Sequence, residues 1–212
     1  MTNIRRILVS ALLCGTTSAA YTGTPVTYSI TVHEVAFDGC HFSMKDFYGG
    51  TLQSTRESTP ALANYNAEIN PKAHHSFGTW IRFYCEKEGV EKAFKGMGMK
   101  YLGSRWVLDK ESYSPLPEEH VAIYPLRGNS WNGAGLSSDQ TSGDEDQRMR
   151  NFGFCISGAK QVVCGTIQQV MFLKSPKDST IPQVIQLLQS IEFIDDAPDV
   201  PIEPSKASVS SH

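Results

Sequence analysis

Two cysteines with eight residues between them, Cys155 and Cys164, lie in the apolar stretch NFGFCISGAKQVVCGTI. Cysteines at short spacing bind metal ions, exchange thiols for disulfides in catalysis, or form structural disulfides. Zinc sites favour C-x₂₋₄-C spacing, and thioredoxin-like redox pairs favour C-x-x-C spacing. Neither spacing occurs in this chain. The pair is therefore predicted to form a structural disulfide, with two free buried thiols as the alternative.

One hairpin register accounts for both the cysteines and the apolar residues around them. If Ser157 faces Val162 across the loop 158–161, Cys155 lies directly opposite Cys164, at a Cα separation that a disulfide can span. Because side chains alternate between the faces of a strand, the same register also gathers an apolar face. That face consists of Phe152, Phe154, Ile156, Val163 and Ile167.

Histidines are the other candidates for chemistry, but no catalytic signature surrounds them. The chain has no G-x-S-x-G, H-E-x-x-H, phosphate-binding glycine loop or EF-hand spacing. His74 and His75 are adjacent, so on a strand they would point to opposite faces and could share a metal ion only in a loop. His41 and His120 have no spacing to serine or aspartate that marks a triad. We therefore assign no catalytic residue, metal ligand or cofactor.

The segment 127–150, RGNSWNGAGLSSDQTSGDEDQRMR, is rich in glycine, serine and acidic residues and is predicted to be a long loop. Binding residues concentrate in long loops on rigid scaffolds. The candidate partner contacts are therefore its acidic residues and its tryptophan, namely Asp139, Asp144, Glu145, Asp146 and Trp131. For the acidic run, a solvated loop and a calcium site remain alternatives. For the tryptophan, a sugar-binding surface and simple docking on the protein both stay open.

The first residues, MTNIRRILVSALLCGTTSAAYTG, have the layout of a secretory signal peptide. Arg5 and Arg6 precede a short apolar run and a series of small residues that ends at Ala20. The run is too short to anchor the chain in a bilayer. Residues 1–20 are thus predicted to be a cleaved leader that directs export of the chain. Lipid attachment at Cys14 is the alternative, although a leucine precedes this cysteine where a small residue is expected.

Removal of the leader changes the formal net charge from −3 to −5, because two arginines leave and no acidic residue does. An acidic domain argues against non-specific nucleic-acid binding, which needs basic patches. No later segment is apolar enough to span a membrane. Four cysteines remain, and an even number in an exported chain favours disulfides. The hairpin pairs Cys155 with Cys164, which leaves Cys40 with Cys85.

Strands dominate the rest of the pattern. The segment 26–35, VTYSITVHEV, alternates strictly and is predicted to be a half-buried strand. Its apolar face would consist of Val26, Tyr28, Ile30 and Val32. Further strands are predicted for 79–86, 104–109, 120–126 and 166–174, which are rich in β-branched and aromatic residues.

Helices are predicted in two places. In 59–69, Thr59 could cap a short helix that has Pro60 at its first position. In 180–191, an apolar stripe and the capping-box spacing of Thr180 and Gln183 predict a helix, followed by a short strand at 191–194. The stripe consists of Ile181, Val184, Ile185, Leu188 and Ile191. The segment 90–102 stays ambiguous because two glycines interrupt its helical spacing.

Together these patterns predict an α+β fold, an antiparallel β-sheet with one or two helices packed on it and stapled by disulfides. Residues 21–196 would form a single α+β domain or two small subdomains. Residues 197–212 are rich in proline and serine and are predicted to be a disordered tail.

The stretch FCISGAKQVVCG, followed by LLQSIEFIDDAP, resembles the C-terminal part of periplasmic immunity proteins that neutralise type VI-secreted antibacterial effectors, especially lipases. The resemblance covers residues 151–198. It implies a small protein without enzymatic activity, made beside a toxin, that binds and occludes a cognate effector, a lipase or phospholipase. It assigns no contact residue and no cofactor. An envelope hydrolase that uses a histidine, and a solute- or glycan-binding module, are the alternatives.

Overall fold

Alternating apolar and polar residues produce a fold dominated by antiparallel strands. The structure is a computed structural model and describes residues 29–55 and 60–194, in which the chain forms twelve strands and two α-helices. The strands are β1 (Thr31–Phe37), β2 (Cys40–Asp46), β3 (Thr51–Thr55), β4 (Leu62–Ala67), β5 (Thr79–Cys85), β6 (Met99–Leu102), β7 (Arg105–Leu108), β8 (Ala122–Arg127), β9 (Asn132–Asp139), β10 (Met149–Ser157), β11 (Val162–Phe172) and β12 (Glu192–Phe193). The helices are α1 (Val90–Gly96) and α2 (Ile181–Gln189). The predicted leader and tail lie outside the described residues.

A central sheet has seven antiparallel strands in the order β3-β4-β5-β11-β10-β9-β8. At its middle, Ser157 pairs with Val162 and Cys155 with Cys164, so the predicted hairpin register is confirmed. Disulfides join Cys155 to Cys164 and Cys40 to Cys85, with Cα separations of 4.0 and 5.6 Å. The predicted α+β fold, stapled by these two disulfides, is confirmed.

The two faces of the hairpin are buried against different layers. The predicted apolar face packs against α2 and against a second sheet of order β1-β2-β12. Phe42 of that second sheet contacts Phe83 at 5.3 Å between ring centroids, and Phe83 contacts Phe154 at 5.7 Å. On the opposite face, Phe94 of α1 and the β6–β7 hairpin cover the Cys155–Cys164 disulfide. The central sheet is therefore the middle of three layers.

The predicted single long loop at 127–150 is wrong in its middle, because β9 runs through it as an inner strand of the central sheet and leaves two shorter connections, 128–131 and 140–148. Its small residues allow close packing rather than a loop. A Cβ at Gly133 would lie 2.3 Å from the carbonyl oxygen of Cys155, and one at Gly135 would lie 2.1 Å from the ring of Phe152. Glycine in a strand marks this kind of close approach.

The predicted helix at 59–69 is also wrong. Residues 62–67 form β4, which pairs with β3 and β5. Ala63, Tyr65 and Ala67 are buried and alternate with polar residues, which is the period of two that is typical of a strand. The helix-start signal of Pro60 masked this alternation in the sequence. The proposed N-cap, Thr59, lies outside the described residues.

The first strand is present from Thr31, but the described part of its predicted buried face is wrong, while Val26 and Tyr28 lie outside the described residues. Ile30 and Val32 are 61% and 60% exposed, whereas Val35 and Phe37 are buried. The inward face of β1 also carries His33, which contacts the buried carboxylate of Asp46 on β2. Because side chains alternate, turning that face inward leaves Ile30 and Val32 on the outer side.

The ambiguous segment 90–102 divides into α1 and β6. Gly98 adopts φ 73°, a left-handed conformation that favours glycine, and its amide donates to the carbonyl oxygen of Lys95 as the helix ends. The helix predicted at 180–191 is confirmed as α2, and a short strand follows it as β12. The capping box is wrong, because Thr180 Oγ1 instead donates to the carbonyl oxygen of Val170.

The two disulfides are expected to differ in their effect on stability. Replacing Cys155 and Cys164 by alanine should lower the free energy of unfolding by about 2–3 kcal/mol, and replacing Cys40 and Cys85 by about 4 kcal/mol. The second pair closes the longer loop, 45 residues against 9. Urea unfolding of both double variants, followed by circular dichroism, measures the two losses. If the two losses were equal, or if the Cys155 and Cys164 variant lost more, the disulfides would not stabilise the protein through loop entropy.

Candidate functional site

The residues predicted as partner contacts separate into a buried and an exposed group. Trp131 is only 3% exposed, and its Nε1 donates a 2.8 Å hydrogen bond to the carbonyl oxygen of Ile191. Asp139 is buried at the end of β9. The prediction that an open loop presents these two side chains to a partner is therefore wrong. Trp131 is buried in the core, whereas Asp139 is paired with Arg150 at the wall of a cleft.

The acidic residues Asp144, Glu145 and Asp146 are exposed, in a loop that spans residues 140–148 between β9 and β10. We call this segment the acidic loop. Asp144 Oδ1 accepts a 3.1 Å hydrogen bond from the Asp146 amide and begins a single 3₁₀ turn. The carbonyl oxygen of Arg148 accepts a 2.9 Å hydrogen bond from the amide of Leu173, the residue directly after β11. The acidic loop is thus exposed but well ordered by its own contacts.

Asp139 and Arg150 close the base of the acidic loop. They are opposite one another on β9 and β10, and Arg150 Nε and Nη2 donate to the two oxygens of Asp139 at 2.5 and 2.8 Å. This two-point contact is the strongest form of a carboxylate–guanidinium pair. Hydrogen bonding to Asp139 raises the pKa of Arg150, so the guanidinium stays charged. His120 Nδ1 lies 3.1 Å from the same carboxylate.

A cleft of about 930 Å³ opens beside this ion pair, between the acidic loop, the segment before β8 and the start of α2. Its volume falls within the range of about 300–1,000 Å³ that is typical of ligand sites. Leu116 and Pro182 supply apolar surface, while His120 and Arg148 supply polar groups. Arg148 Nε is shielded from solvent and has no hydrogen-bond partner among the described residues. The cleft therefore combines apolar surface with polar groups of both charges, since Glu118 and Asp139 also line it.

Several of the described histidines make hydrogen bonds through their rings. Their partners are acidic side chains or another histidine. His33 lies 3.2 Å from Asp46, and His41 lies 2.8 Å from Glu34. His74 and His75 do lie together in a loop, with ring nitrogens 3.1 Å apart. In residues 29–55 and 60–194, no group of three or more potential metal ligands is found.

Asp46 is the centre of a buried polar network that the sequence did not indicate. Its carboxylate accepts hydrogen bonds from the Tyr65 hydroxyl at 2.7 Å and the Tyr48 amide at 2.8 Å, besides the contact with His33. Burial alone would raise the pKa of Asp46, but these hydrogen bonds together outweigh it and lower the pKa. Burial and the hydrogen bond to Asp46 raise the pKa of Tyr65. The network joins the second sheet to β4.

Comparisons with protein-family models, curated proteins and solved structures found no match to this chain. In the part of the chain that the structure describes, no helix is long and apolar enough to cross a membrane. The site therefore has to be interpreted from its own geometry. Sequence patterns indicated the acidic loop, but not the arginines, His120 and apolar residues that line the cleft.

Asp46 should make the fold sensitive to acid. Its pKa is lower in the folded than in the unfolded chain, where the ordinary value is 3.8. Its stabilisation is therefore fully present above the unfolded pKa and is lost as the pH falls through the folded pKa. Asp46→Asn should lower the free energy of unfolding by about 1.5–3 kcal/mol at pH 7 and by clearly less near pH 3.

Urea unfolding of the protein and of Asp46→Asn at several pH values measures this difference. Glu68→Gln, at an exposed position, serves as the control and should change stability little at any pH. A loss from Asp46→Asn that is the same at pH 7 and pH 3 would show that the charge of Asp46 does not stabilise the fold.

Proposed function

We propose that this chain is an exported immunity protein that binds a type VI-secreted antibacterial effector and blocks it by occlusion. The resemblance of residues 151–198 supports this assignment and favours a lipase or phospholipase as the effector. The observation that carries the proposal is the acidic loop, an exposed charged element that is held in one conformation beside a cleft.

Order in the acidic loop matters because association loses less free energy when the contact surface needs no rearrangement. The Asp139–Arg150 pair fixes the base of the loop, and the Asp144 side chain stabilises its 3₁₀ turn. The hairpin β10–β11, which continues from the loop, is cross-linked by a disulfide. An inhibitor that works by occlusion needs this kind of preformed surface.

The charge of the acidic loop suits a basic rim around the cleft of an effector. Asp144, Glu145 and Asp146 project into solvent, and the cations nearest to them, Arg148 and Lys174, make only long contacts of 3.8 and 3.7 Å. Exposed charges of one sign accelerate association with a surface of opposite sign, and salt weakens the effect. The cleft beside the loop would then receive a projecting segment of the effector.

His120 is the observation that favours the alternative of an envelope hydrolase. It lines the cleft, and its ring contacts the carboxylate of Asp139, which is an arrangement used by general bases. A protein that acts by binding would not need this ring for turnover. The two functions therefore differ in their dependence on His120.

We expect the full chain to protect a susceptible bacterium against the toxin encoded by the adjacent gene, when that toxin is directed to the periplasm. The purified proteins should form a stable complex in size-exclusion chromatography. Single replacement of His33, His41, His74, His75 or His120 by alanine should leave protection intact, because occlusion requires no proton transfer. Growth curves and immunoblots measure protection at matched protein levels.

Two results would contradict the proposal. Failure of the chain both to bind the toxin and to protect the cells would exclude an immunity role toward that toxin. A His120→Ala variant that folds normally, binds the toxin and gives no protection would favour the hydrolase.

Neutralising the acidic loop should slow association without changing the fold. The variant Asp144→Asn, Glu145→Gln and Asp146→Asn keeps a side-chain oxygen at the capping position and removes three charges. Asp139 is left unchanged because it is buried against Arg150. The association rate constant with the effector should fall about tenfold at low salt and converge with that of the unaltered protein at high salt.

The matched control is Glu68→Gln, Glu88→Gln and Glu91→Gln, which removes the same charge from exposed positions outside the cleft lining. It should change the rate constant less than the loop variant does. Surface plasmon resonance at several salt concentrations measures both. Equal effects of the two variants would show that net charge, and not the acidic loop, steers the encounter.

A further inference from the structure

The outer face of strands β4, β5 and β11 carries an exposed tryptophan in a fixed orientation. Trp80 is 57% exposed, and its Nε1 donates a 3.1 Å hydrogen bond to Asn64 Oδ1. The Arg82 guanidinium lies 6.0 Å from the ring centroid. A large aromatic surface is therefore held in place in solvent, ready to contact a ligand without first losing rotamer freedom.

A groove of about 230 Å³ lies beside this ring, and polar side chains without a carboxylate line it. Arg82 pairs in register with Asn64 on one side and with Thr166 on the other. Gln168, Gln169, Met149 and Gly78 complete the wall. The groove therefore combines one aromatic face with amide, hydroxyl and guanidinium groups.

A break in strand register explains how two consecutive glutamines reach the same groove. Between the pairs Phe152–Ile167 and Arg150–Met171, the single residue Asn151 lies opposite three residues of β11, 168–170. Bulges of this kind redirect side chains and are enriched beside functional sites.

Gln169 Nε2 is also shielded from solvent and has no hydrogen-bond partner among the described residues. An unpaired buried donor is unfavourable in a folded protein, and a ligand that supplies an acceptor removes the penalty. The groove thus has a hydrogen-bonding group left over for an occupant.

We propose that the groove at Trp80 binds one ring of a neutral oligosaccharide. A sugar ring has an apolar face of C–H groups and a rim of hydroxyls, which match the indole face and the surrounding amides, respectively. The volume lies below the range of about 300–1,000 Å³ for drug-sized ligands, so one ring fits and the rest of the chain remains outside. The formal charge of −3 disfavours a nucleic acid, which would otherwise stack on an exposed tryptophan.

This glycan site is separate from the proposed effector contact. The groove shares no lining residue with the cleft beside the acidic loop. It does not rest on the proposed function, and variants at Trp80 should leave protection against an effector unchanged.

The test titrates the purified full chain with three soluble probes, namely the tetramers of β-1,4-linked N-acetylglucosamine, β-1,4-linked glucose and α-1,4-linked glucose. At least one should bind with a Kd of about 0.1–1 mM, as measured by calorimetry, and should shift the tryptophan fluorescence. Trp80→Ala should weaken this binding by at least about tenfold, and Trp80→Phe should retain part of it.

A second variant blocks the groove without removing the ring. A Cβ at Gly78, which lines the groove, would meet only Asn66 Oδ1, at 3.7 Å. Gly78→Leu should therefore fold, occupy the groove and abolish binding. Tyr101→Ala is the matched control, because Tyr101 is also 57% exposed but lies on β6, outside this groove. It should bind the probe as the unaltered protein does.

Three results would overturn the proposal. The first is the absence of heat and fluorescence change with all three probes. The second is a probe that binds equally well to Trp80→Ala and to Gly78→Leu, with folding of both verified by thermal unfolding. The third is a concentration-dependent dimer, seen by light scattering, that Trp80→Ala dissociates, since this would assign the face to a second copy of the chain.

Discussion

The rest of the structure depends on the pairing register of β10 and β11, in which Cys155 lies opposite Cys164. Because side chains alternate with a period of two, a shift by one residue would exchange the face that packs on α2 and the second sheet with the face that packs on α1. The disulfide makes that shift covalently impossible once it has formed. The same hairpin pairs with β9 on one side and β5 on the other, so its register carries over to both halves of the central sheet.

The two ends of this hairpin have different roles. At the turn, Gln161 accepts a 2.7 Å hydrogen bond from the His41 amide and donates a 2.9 Å bond to the carbonyl oxygen of Ile194, which joins the turn to the second sheet. At the open end, Arg150 pairs with Asp139 below the acidic loop, and the register break near Asn151 redirects the glutamines of β11. The cleft and the groove are both built from residues near this open end.

Sequence patterns predicted the parts of the fold that local information determines. The hairpin and α2 were found because alternation, helical spacing and the cysteine pair all point to the same structure. β4 was missed because the helix-start signal of Thr59 and Pro60 masked its alternation, and β9 because its glycines are explained only by neighbours far away in the chain, as the close approach of Gly133 to Cys155 shows. The buried face of β1 was predicted wrongly because it depends on a residue of another strand, since His33 turns inward to reach Asp46 on β2. The acidic run and Asp139 were visible in the sequence, whereas the pairing of Asp139 with Arg150 was not, because a cross-strand ion pair has no local signature.

Covalent and polar stabilisation are divided along the molecule in a way that suits binding. Both disulfides lie toward the turn end, where Cys85 is paired with Val163 and the two sheets meet. They act mainly on the unfolded chain and leave the surface of the open end unchanged. The open end is held instead by charge pairs and hydrogen bonds, and two of its donors, Arg148 Nε and Gln169 Nε2, are shielded from solvent and have no hydrogen-bond partner among the described residues. A scaffold cross-linked at one end can thus carry unsatisfied polar groups at the other, because its stability does not depend on their being paired.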